Sequence, residues 1–519
     1  MVVRLLLVMI SSLAALPACT NVPNWGNPAV VTESPPEPQR EFRAMWVATV
    51  ANIDWPSKPG LSPEALRLEI QRHIDTAAAL NLNAIILQVR PSCDAIYPST
   101  LEPWTEFLTG VQGQPPAEGF DPLQAWIDAA HARGIQLHAW FNPFRARQGS
   151  ARSPTASTHI ASTRPDLVRA FDNMQWLDPA EPESQAHSLA VILDVVTRYN
   201  IDGVHLDDYF YPYPKKDVPF PDDAAWTRYT ASGGGLARDD WRREQINSFV
   251  RRMYEETKAV KPHVRVGISP FGIWRPGHPE SVAGFDAYAG LYADARLWLR
   301  QGWVDYVAPQ LYWKISAPKQ PYADLLAWWL GENPQRRDVY VGNYASRIRA
   351  EAAPKPEDEQ KSWQPYEIVN QVLRTRQMQA GGNIHFSAVA LVQNRRGLAD
   401  ALREGVYASP ALVPPLWWSA TGPLPPRLKP IVERSATELR LAATLPPDST
   451  LLVWTRSSAG WRLSAHGRPG NNDAPIILDA ARIDRADRLV VAAMDRFARI
   501  GPLTGVDLPP AAVSTISRP

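Results

Sequence analysis

Two consecutive aspartates, Asp207 and Asp208, stand where an apolar segment gives way to an acidic and aromatic one. His205 lies two residues before Asp207, so an extended backbone places these two side chains on the same face and turns Asp208 away. Tyr209 follows directly, and two prolines soon end any regular strand pairing. In a barrel of alternating strands and helices, such a strand end is where catalytic groups gather. The alternative is a charged loop that caps the next helix.

Polar and aromatic side chains also follow other predicted strands. We take these as candidate substrate-binding residues, together with His205 and Tyr209: Arg90, His138, Trp140, Asn142, Trp274, Gln310, Tyr312 and Trp313. Hydrogen-bonding groups beside flat aromatic faces suit a ligand rich in hydroxyl groups. Scarce lysines at these positions make phosphate a less favourable ligand. We interpret Trp140 and Trp313 as sugar platforms, with burial in the barrel mouth as the alternative.

Eight apolar strands that alternate with helical segments are predicted between residues 41 and 406. The predicted strands cover 42–50, 84–89, 135–141, the stretch ending at Asp207, 264–269, 304–311, 339–341 and 383–389. This order predicts an α/β fold, a TIM (β/α)8 barrel. A doubly wound open sheet is the alternative, but such sheets usually carry a glycine-rich loop after the first strand, which is absent here.

The character of the chain changes after the barrel. Residues 407–430 are rich in proline and predict a semi-rigid linker. Residues 431–510 contain short alternating runs separated by turns, which predicts a small all-β, fibronectin-III-like sandwich. Such a module could bind glycan or pack on the barrel, and we favour packing. The barrel itself is expected to be independently active.

The N-terminal segment has the features of an export signal. Residues 1–18 combine a basic residue, an apolar run and small residues before Cys19, which resembles a bacterial lipobox. We therefore expect lipidation at Cys19, a disordered tether over 19–40, and an outer-membrane lipoprotein facing the periplasm. Thr20 after the cysteine favours the outer membrane. An ordinary secretory signal is the alternative.

Two further properties of the chain limit its chemistry and partners. The only other cysteine is Cys93, so an internal disulfide is not expected, and we interpret Cys93 as a packing residue. The net charge of +1 gives no general attraction to nucleic acid.

Several blocks of sequence, in the same order, resemble the glycosyl-hydrolase-like family 10 of bacterial exported proteins. These blocks are 88–91, 94–99, 103–104, 108–110, 130–134, 138–143, 207–212, 267–272 and 309–313. The resemblance implies a TIM barrel and a glycosidase without a cofactor. One characterised branch of the family cleaves peptidoglycan glycan strands that lack peptides, so the implied partner is cell-wall glycan. We expect a monomer.

Glycoside hydrolysis normally needs two carboxyl groups, one as acid and one as nucleophile or base. We assign Asp207 as the nucleophile or charge-stabilising carboxylate, which an adjacent His or Arg would keep ionised. Asp208 and Asp94 are the candidate acids, with Glu102 a weaker one. An N-acetyl group on the substrate could itself attack, so that one carboxylate orients while another protonates. The pattern also resembles family 18 chitinases, but Tyr209 stands where their acid would be.

Two other functions remain open from the residues alone. A metal-dependent hydrolase or deacetylase could use His138, His205, Asp207 and Asp208 as ligands. No HxH or HxxxH spacing supports this, so we assign no metal ligand. The third possibility is a catalytically inactive barrel that binds glycan.

Overall fold

The computed structural model describes residues 34–350, 362–434, 438–466, 476–479 and 486–508. The signal segment 1–18, Cys19 and most of the predicted tether 19–40 lie outside these ranges. No helix within them is both long and apolar enough to cross a membrane.

The described strands and helices are numbered here in chain order. The strands are β1 Phe42–Val47, β2 Ala84–Arg90, β3 Gln136–Phe141, β4 Arg145–Arg147, β5 Val168–Phe171, β6 Met174–Leu177, β7 Gly203–Leu206, β8 Arg265–Ile268, β9 Tyr306–Val307, β10 Asp338–Asn343, β11 Gly382–His385, β12 Ile431–Arg434, β13 Glu438–Ala442, β14 Thr450–Ser457, β15 Gly460–His466, β16 Ile476–Asp479, β17 Arg488–Met494 and β18 Thr504–Asp507. The helices are α1 Pro63–Ala79, α2 Glu106–Thr109, α3 Pro122–Ala132, α4 Ile160–Thr163, α5 Pro182–Arg198, α6 Asp223–Ala231, α7 Arg238–Val260, α8 Ala287–Gly290, α9 Ala295–Gln301, α10 Tyr322–Gly331, α11 Pro365–Gln377, α12 Ala388–Val392 and α13 Leu398–Glu404.

A closed barrel of eight parallel strands forms the centre of the molecule, in the order β1-β11-β10-β9-β8-β7-β3-β2. This confirms the predicted TIM-like barrel. The barrel strands are almost wholly buried, because helices cover their outer faces and side chains fill the interior. Local signals start the helices: the Ser62 side chain caps α1 and the Asp121 side chain caps α3, each ahead of a proline at the first helical position.

A small additional sheet that was not predicted from the sequence lies between β3 and β7. There β4, β6 and β5 form a small antiparallel sheet, in that order. It begins at Arg145, only four residues after β3 ends, so it rises from the carboxyl end of the barrel. Its strands are only three or four residues long, which leaves little periodicity to detect.

The C-terminal region is all-β, with one sheet in the order β12-β13-β16 and another in the order β15-β14-β17-β18. It packs against the amino-terminal end of the barrel. Arg496 donates to the Ile201 carbonyl (2.6 Å), just before β7, and the Trp418 indole donates to Asp305 (2.6 Å), just before β9. The core inside the barrel continues into this region: Phe42 and Tyr306 belong to the same apolar cluster as Trp454.

Candidate active site

A cleft of about 240 Å³ opens at the carboxyl end of the barrel strands. Its lining residues are Trp46, Ala48, Val50, Ile53, Trp140, Asp207, Asp208, Tyr209, Tyr213, Ser269, Gln310, Tyr312 and Phe386. Both carboxyl groups in this lining come from the end of β7. A surface depression of about 480 Å³ between α1 and α3 lies away from the strand ends, so the cleft at the barrel mouth is the candidate active site.

Asp207 is held in the cleft wall by Asn142. The Asn142 amide donates to Oδ2 of Asp207 (2.6 Å), while Oδ1 of Asp207 is buried and accepts no hydrogen bond from the described residues. Burial and the neighbouring charge of Asp208 raise the pKa of Asp207, and the opposing effect of Arg145 is smaller. The sequence predicted that a basic neighbour keeps this carboxyl ionised. Arg145 is such a neighbour, but its attraction lowers the pKa by less than desolvation raises it.

Asp208 also faces the cleft, which corrects the expectation that it would turn away. Strand alternation stops at Leu206, where β7 ends, so nothing forces consecutive side chains to opposite sides beyond it. The Tyr213 hydroxyl donates to Asp208 Oδ2, and the side chain of Gln310 also hydrogen-bonds to Asp208. Burial raises the pKa of Asp208 above its ordinary value, and these partners oppose that shift. Two protonatable carboxyl groups with raised pKa values thus share one cleft.

A hydrogen-bond network fixes the orientation of Asn142. Its Oδ1 accepts from the Gln88 amide (2.6 Å) and from the Arg145 guanidinium (2.9 Å), which leaves its Nδ2 to donate to Asp207. Gln88 accepts in turn from the backbone N–H of Val50 (2.9 Å). Gln88 and Arg145 were not singled out from the sequence. Gln88 lies near the carboxyl end of β2 and Arg145 lies shortly after β3, so the same positional rule could have found them.

The two histidines assigned to substrate binding lie instead inside the barrel, and both are fully buried. The Tyr306 hydroxyl joins Nδ1 of His138 (2.9 Å) to Nδ1 of His205 (2.9 Å). Nε2 of His205 accepts from the Trp46 indole (3.1 Å), so His205 supports the cleft floor from below. Burial lowers the pKa of both histidines, to about 3 for His138. Both are therefore neutral structural groups near pH 7.

Arg90 and Asp94 are also buried outside the cleft lining. Arg90 donates to Glu102 (2.8 Å), and this ion pair outweighs burial and holds the pKa of Glu102 at about 2. Asp94 accepts from the Gln112 amide (3.0 Å) and from the backbone N–H of Ser92 (3.1 Å), with its pKa raised to about 7 by burial. Neither carboxyl reaches the cleft, so the structure does not support Asp94 or Glu102 as the acid.

Two tryptophans assigned to substrate binding do not line the cleft. Trp274 stacks on Trp328 (ring centroids 5.7 Å apart) and donates to Asp294. Trp313 is half-buried beside the cleft and packs edge-on against Phe271 (5.7 Å). Both follow strand ends, but their rings turn towards the outer helices or the rim. Cys93 is buried, and burial raises the pKa of its thiol, which fits a packing role.

Four of the other predicted side chains line the cleft: Trp140, Tyr209, Gln310 and Tyr312. The cleft also contains Trp46, Tyr213, Ser269 and Phe386, which were not assigned from the sequence. Phe386 directly follows β11, so the strand-end rule applies to it as well. Tyr213 could be found only through the fold of the loop after β7.

The His/Asp metal arrangement considered from the sequence is not formed. His138 and His205 share the Tyr306 hydroxyl below the cleft and do not converge with the two aspartates. Across the described ranges, no group of three or more His, Cys, Asp or Glu side chains is arranged to hold a metal ion.

A closed parallel barrel with paired carboxyl groups at its strand ends has the architecture of a barrel glycosidase. Residues 41–364 match the model of the family described as Glycosyl hydrolase-like 10, and the chain belongs to this family. Together the family and the fold identify the protein as a glycosidase.

Two relatives and one solved structure serve as examples of proteins that are similar to this chain. The glycosyl hydrolase YngK of Bacillus subtilis strain 168 is 40% identical over 403 residues, which cover 76% of this chain and 77% of that protein. The glycosyl hydrolase DigH of Escherichia coli K12 is 35% identical over 342 residues, covering 62% of this chain and 76% of that protein. The PgaB (BpsB) glycoside hydrolase domain from Bordetella bronchiseptica aligns with a TM-score of 0.46 at 15% identity, over 70% of this chain and 98% of that domain.

Proposed function

We propose that this protein is an exported glycosidase that cleaves cell-wall glycan, namely peptidoglycan strands that lack peptides. The observation that carries the proposal is the pair Asp207 and Asp208 in an open, aromatic-walled cleft at the carboxyl end of the barrel. Both carboxyls have raised pKa values, which suits a site that must hold and transfer a proton near neutral pH. The substrate class follows the motif resemblance to family members that act on such strands.

The composition of the cleft supports a sugar ligand. Trp46, Trp140 and Tyr312 present aromatic groups, and Gln310 and Ser269 supply hydrogen-bonding groups between them. The described residues of this lining include no lysine or arginine, which disfavours phosphate-bearing ligands. Planar faces with few, well-placed polar groups are typical of sites for neutral polyhydroxyl ligands.

The surroundings of the cleft support a polymeric ligand. The volume of the cleft is below the roughly 300–1,000 Å³ of pockets that enclose a drug-sized ligand, so the cleft suits one part of a longer ligand. On one side, the ring of Tyr213 packs against that of Phe285 (ring centroids 5.3 Å apart), and the Phe285 ring packs against that of Phe271 (5.4 Å). On the other side, Tyr312 contacts Tyr344 (4.8 Å). Half-buried aromatic groups on both sides of the carboxyl pair suit a glycan chain that extends beyond the central cleft.

The proposed location is the periplasmic face of the outer membrane, through a lipid on Cys19. The lipobox-like segment before Cys19 and the proline-rich stretch after it support this proposal. We propose a monomer whose C-terminal sandwich is fibronectin-III-like. The three-stranded and four-stranded sheets of the described residues are consistent with that type of sandwich.

The activity test uses the purified protein on peptide-free glycan strands and follows new reducing ends. Asp207→Asn keeps the size of the side chain but removes its charge, so kcat should fall on the order of a thousandfold while KM changes little. Asp239→Asn on the exposed side of α7 is the matched control and should retain full activity.

Three results would contradict the proposal or its site. An Asp207→Asn enzyme that keeps more than about a tenth of the parent kcat would remove Asp207 from the chemistry. Release of acetate without new reducing ends would indicate a deacetylase. Saturable glycan binding by the parent protein with no turnover would indicate an inactive barrel.

A further inference from the structure

The two carboxyl groups of the cleft are consecutive in sequence, and this adjacency restricts the mechanism. Asp207 and Asp208 both follow β7, and the charge of Asp208 acts directly on Asp207. Glycosidases with two protein carboxyls place them on either side of the bond, about 5–5.5 Å apart when the enzyme is retaining and about 6.5–9.5 Å apart when it is inverting. The described cleft lining contains no third carboxyl for the opposite side. Within the described lining, both carboxyl groups therefore come from one wall of the cleft.

Oδ1 of Asp207 is an acceptor without a partner. It is buried and forms no hydrogen bond with the described residues, while Oδ2 is fixed by Asn142. Leaving a buried acceptor unpaired is unfavourable, so a ligand N–H or O–H that reaches it gains a favourable bond. Ala48, Trp46 and Trp140 provide apolar surface in the same cleft. A group with one N–H donor and one methyl matches this combination, and an acetamido substituent has both.

Asp208 is placed differently from its neighbour. Both carboxyls are buried, but the hydrogen-bond partner of Asp208, Tyr213, is 39% exposed, whereas Asn142, the partner of Asp207, is buried. A carboxyl whose partner reaches solvent can exchange protons with solvent through that partner between turnovers. The two positions suit different tasks, with proton transfer at Asp208 and orientation at Asp207.

From this geometry, and resting on the proposed glycosidase function, we infer that the site cleaves next to N-acylated 2-amino sugars with the substrate's own acetamido oxygen as nucleophile. In the first step, that oxygen bonds to C1 as the bond from C1 to the leaving oxygen breaks. Asp208 gives its proton to the leaving oxygen, and Asp207 holds the acetamido N–H. In the second step, water attacks C1 and gives a proton to Asp208. The bond between C1 and the acetamido oxygen breaks, which restores the acetamido group. The sum is hydrolysis with retained configuration.

The test compares a peptide-free GlcNAc–MurNAc oligomer with the same oligomer after chemical N-deacetylation. We expect the acetylated oligomer to yield products of retained configuration by NMR. The deacetylated one should react at least about a hundredfold more slowly, because an intramolecular nucleophile has been lost. A thiazoline mimic of the cyclised sugar should inhibit the parent enzyme, and Asp207→Asn should weaken that inhibition. Asp208→Asn should regain activity on an aryl glycoside with a good leaving group, whereas Asp207→Asn should not.

The outcomes separate this inference from the proposed function. Inverted products, or equal rates on both oligomers, would overturn the inference while leaving the glycosidase function in place. Absence of turnover on every glycan would overturn the proposed function and this inference with it. Rescue of Asp207→Asn, instead of Asp208→Asn, by the good leaving group would exchange the two roles and overturn the assignment made here.

Discussion

At the residue scale, the site combines two acidic groups with an environment that solvates charge poorly. Asp207 is 6% exposed and Asp208 is 4% exposed, and the charge of Asp208 raises the cost of ionising Asp207 further. The hydrogen bond from Asn142 (2.6 Å) and the interaction with the Tyr209 side chain compensate Asp207 only in part. Such an arrangement reduces stability at neutral pH and is retained where the protonation state serves a reaction.

This balance predicts that Asp207→Asn stabilises the protein while it removes activity. The folded-state pKa of Asp207 lies above the unfolded value, so the stabilising contribution of this carboxyl is fully present below about pH 3.9 and is lost as pH rises through the folded-state pKa. Asparagine carries no such penalty. The gain in free energy of unfolding over the parent should therefore grow between about pH 5 and about pH 8, reaching on the order of 1 kcal/mol. Urea unfolding at both pH values measures it.

Asp239→Asn again serves as the control for this measurement, because its side chain is 63% exposed. Its difference from the parent should stay constant across the same pH range. A gain for Asp207→Asn that shrinks with rising pH would mean that the carboxyl is better stabilised by Asn142 and Arg145 than its burial suggests.

At the element scale, the site depends on where strands stop and on what fills the barrel beneath them. β7 ends at Leu206, which frees both aspartates to face the cleft. Below the floor, Tyr306 on β9 links His138 on β3 to His205 on β7, and His205 holds the Trp46 indole on β1. The position of the cleft floor therefore depends on a hydrogen-bond network that connects several strands.

Gly267 on β8 makes room for the Tyr306 ring. A Cβ at this position would lie 1.9 Å from Cζ of Tyr306, so Gly267→Ala must displace the ring and its hydroxyl. Overpacking of this kind typically costs about 1–3 kcal/mol of unfolding free energy. We expect a loss of that size by urea unfolding, and a raised KM for glycan because the support of Trp46 shifts.

Gly235→Ala is the matched control, since an added Cβ there meets no atom within 4 Å. It should leave both the free energy of unfolding and KM at the values of the parent. Equal behaviour of the two alanine variants would show that the barrel interior is looser than the packing around Tyr306 indicates.

At the scale of the whole molecule, the C-terminal residues complete the lower end of the barrel. Arg43 donates to the Ser409 carbonyl (2.6 Å), Asn83 donates to the Ala411 carbonyl (3.1 Å), and Arg265 donates to the Pro414 carbonyl. These polar groups are buried, so each would lose one of its partners if the chain ended at the predicted domain boundary.

We therefore expect the fragment 41–406 to be unstable and inactive, in contrast to the independent domain that the sequence suggests. Loss of several buried partners at about 1–3 kcal/mol each is comparable with the whole stability of a domain. Circular dichroism and glycan hydrolysis on the fragment and the full chain measure this. Arg496→Ala, which removes contacts with Asn200, Ile201 and Asp202, should cause a smaller loss in the intact chain. A well-folded, active 41–406 fragment would show that the C-terminal region is an accessory.

Membrane attachment is predicted to depend on Cys19 alone. Cys19→Ala should move the protein from the outer-membrane fraction to the soluble periplasmic fraction without changing kcat, because the predicted tether separates this residue from the barrel. Fractionation after a salt wash, followed by activity assays on both fractions, measures the outcome. A Cys19→Ala protein that stays with outer membranes would refute the lipid anchor.

The amino-acid sequence alone determined the barrel and the strand end at which Asp207 lies. Apolar strands that alternate with capped helices permit few architectures, and a parallel barrel gathers its strand ends at one rim. For that reason Trp140, Tyr209, Gln310 and Tyr312 could be placed at the rim from the sequence alone.

Tertiary structure decided which of the strand-end side chains share the cleft. His138 and His205 lie too deep, and Asp94 is tied to Gln112 in a loop of its own. Whether a residue after a strand turns inward depends on loop conformation and on partners distant in the chain. The spacing of residues in the sequence contains no information on loop conformation or on distant partners. For the same physical reason, only the folded chain brings Asp208 to the cleft and the C-terminal sheets to the amino-terminal end of the barrel.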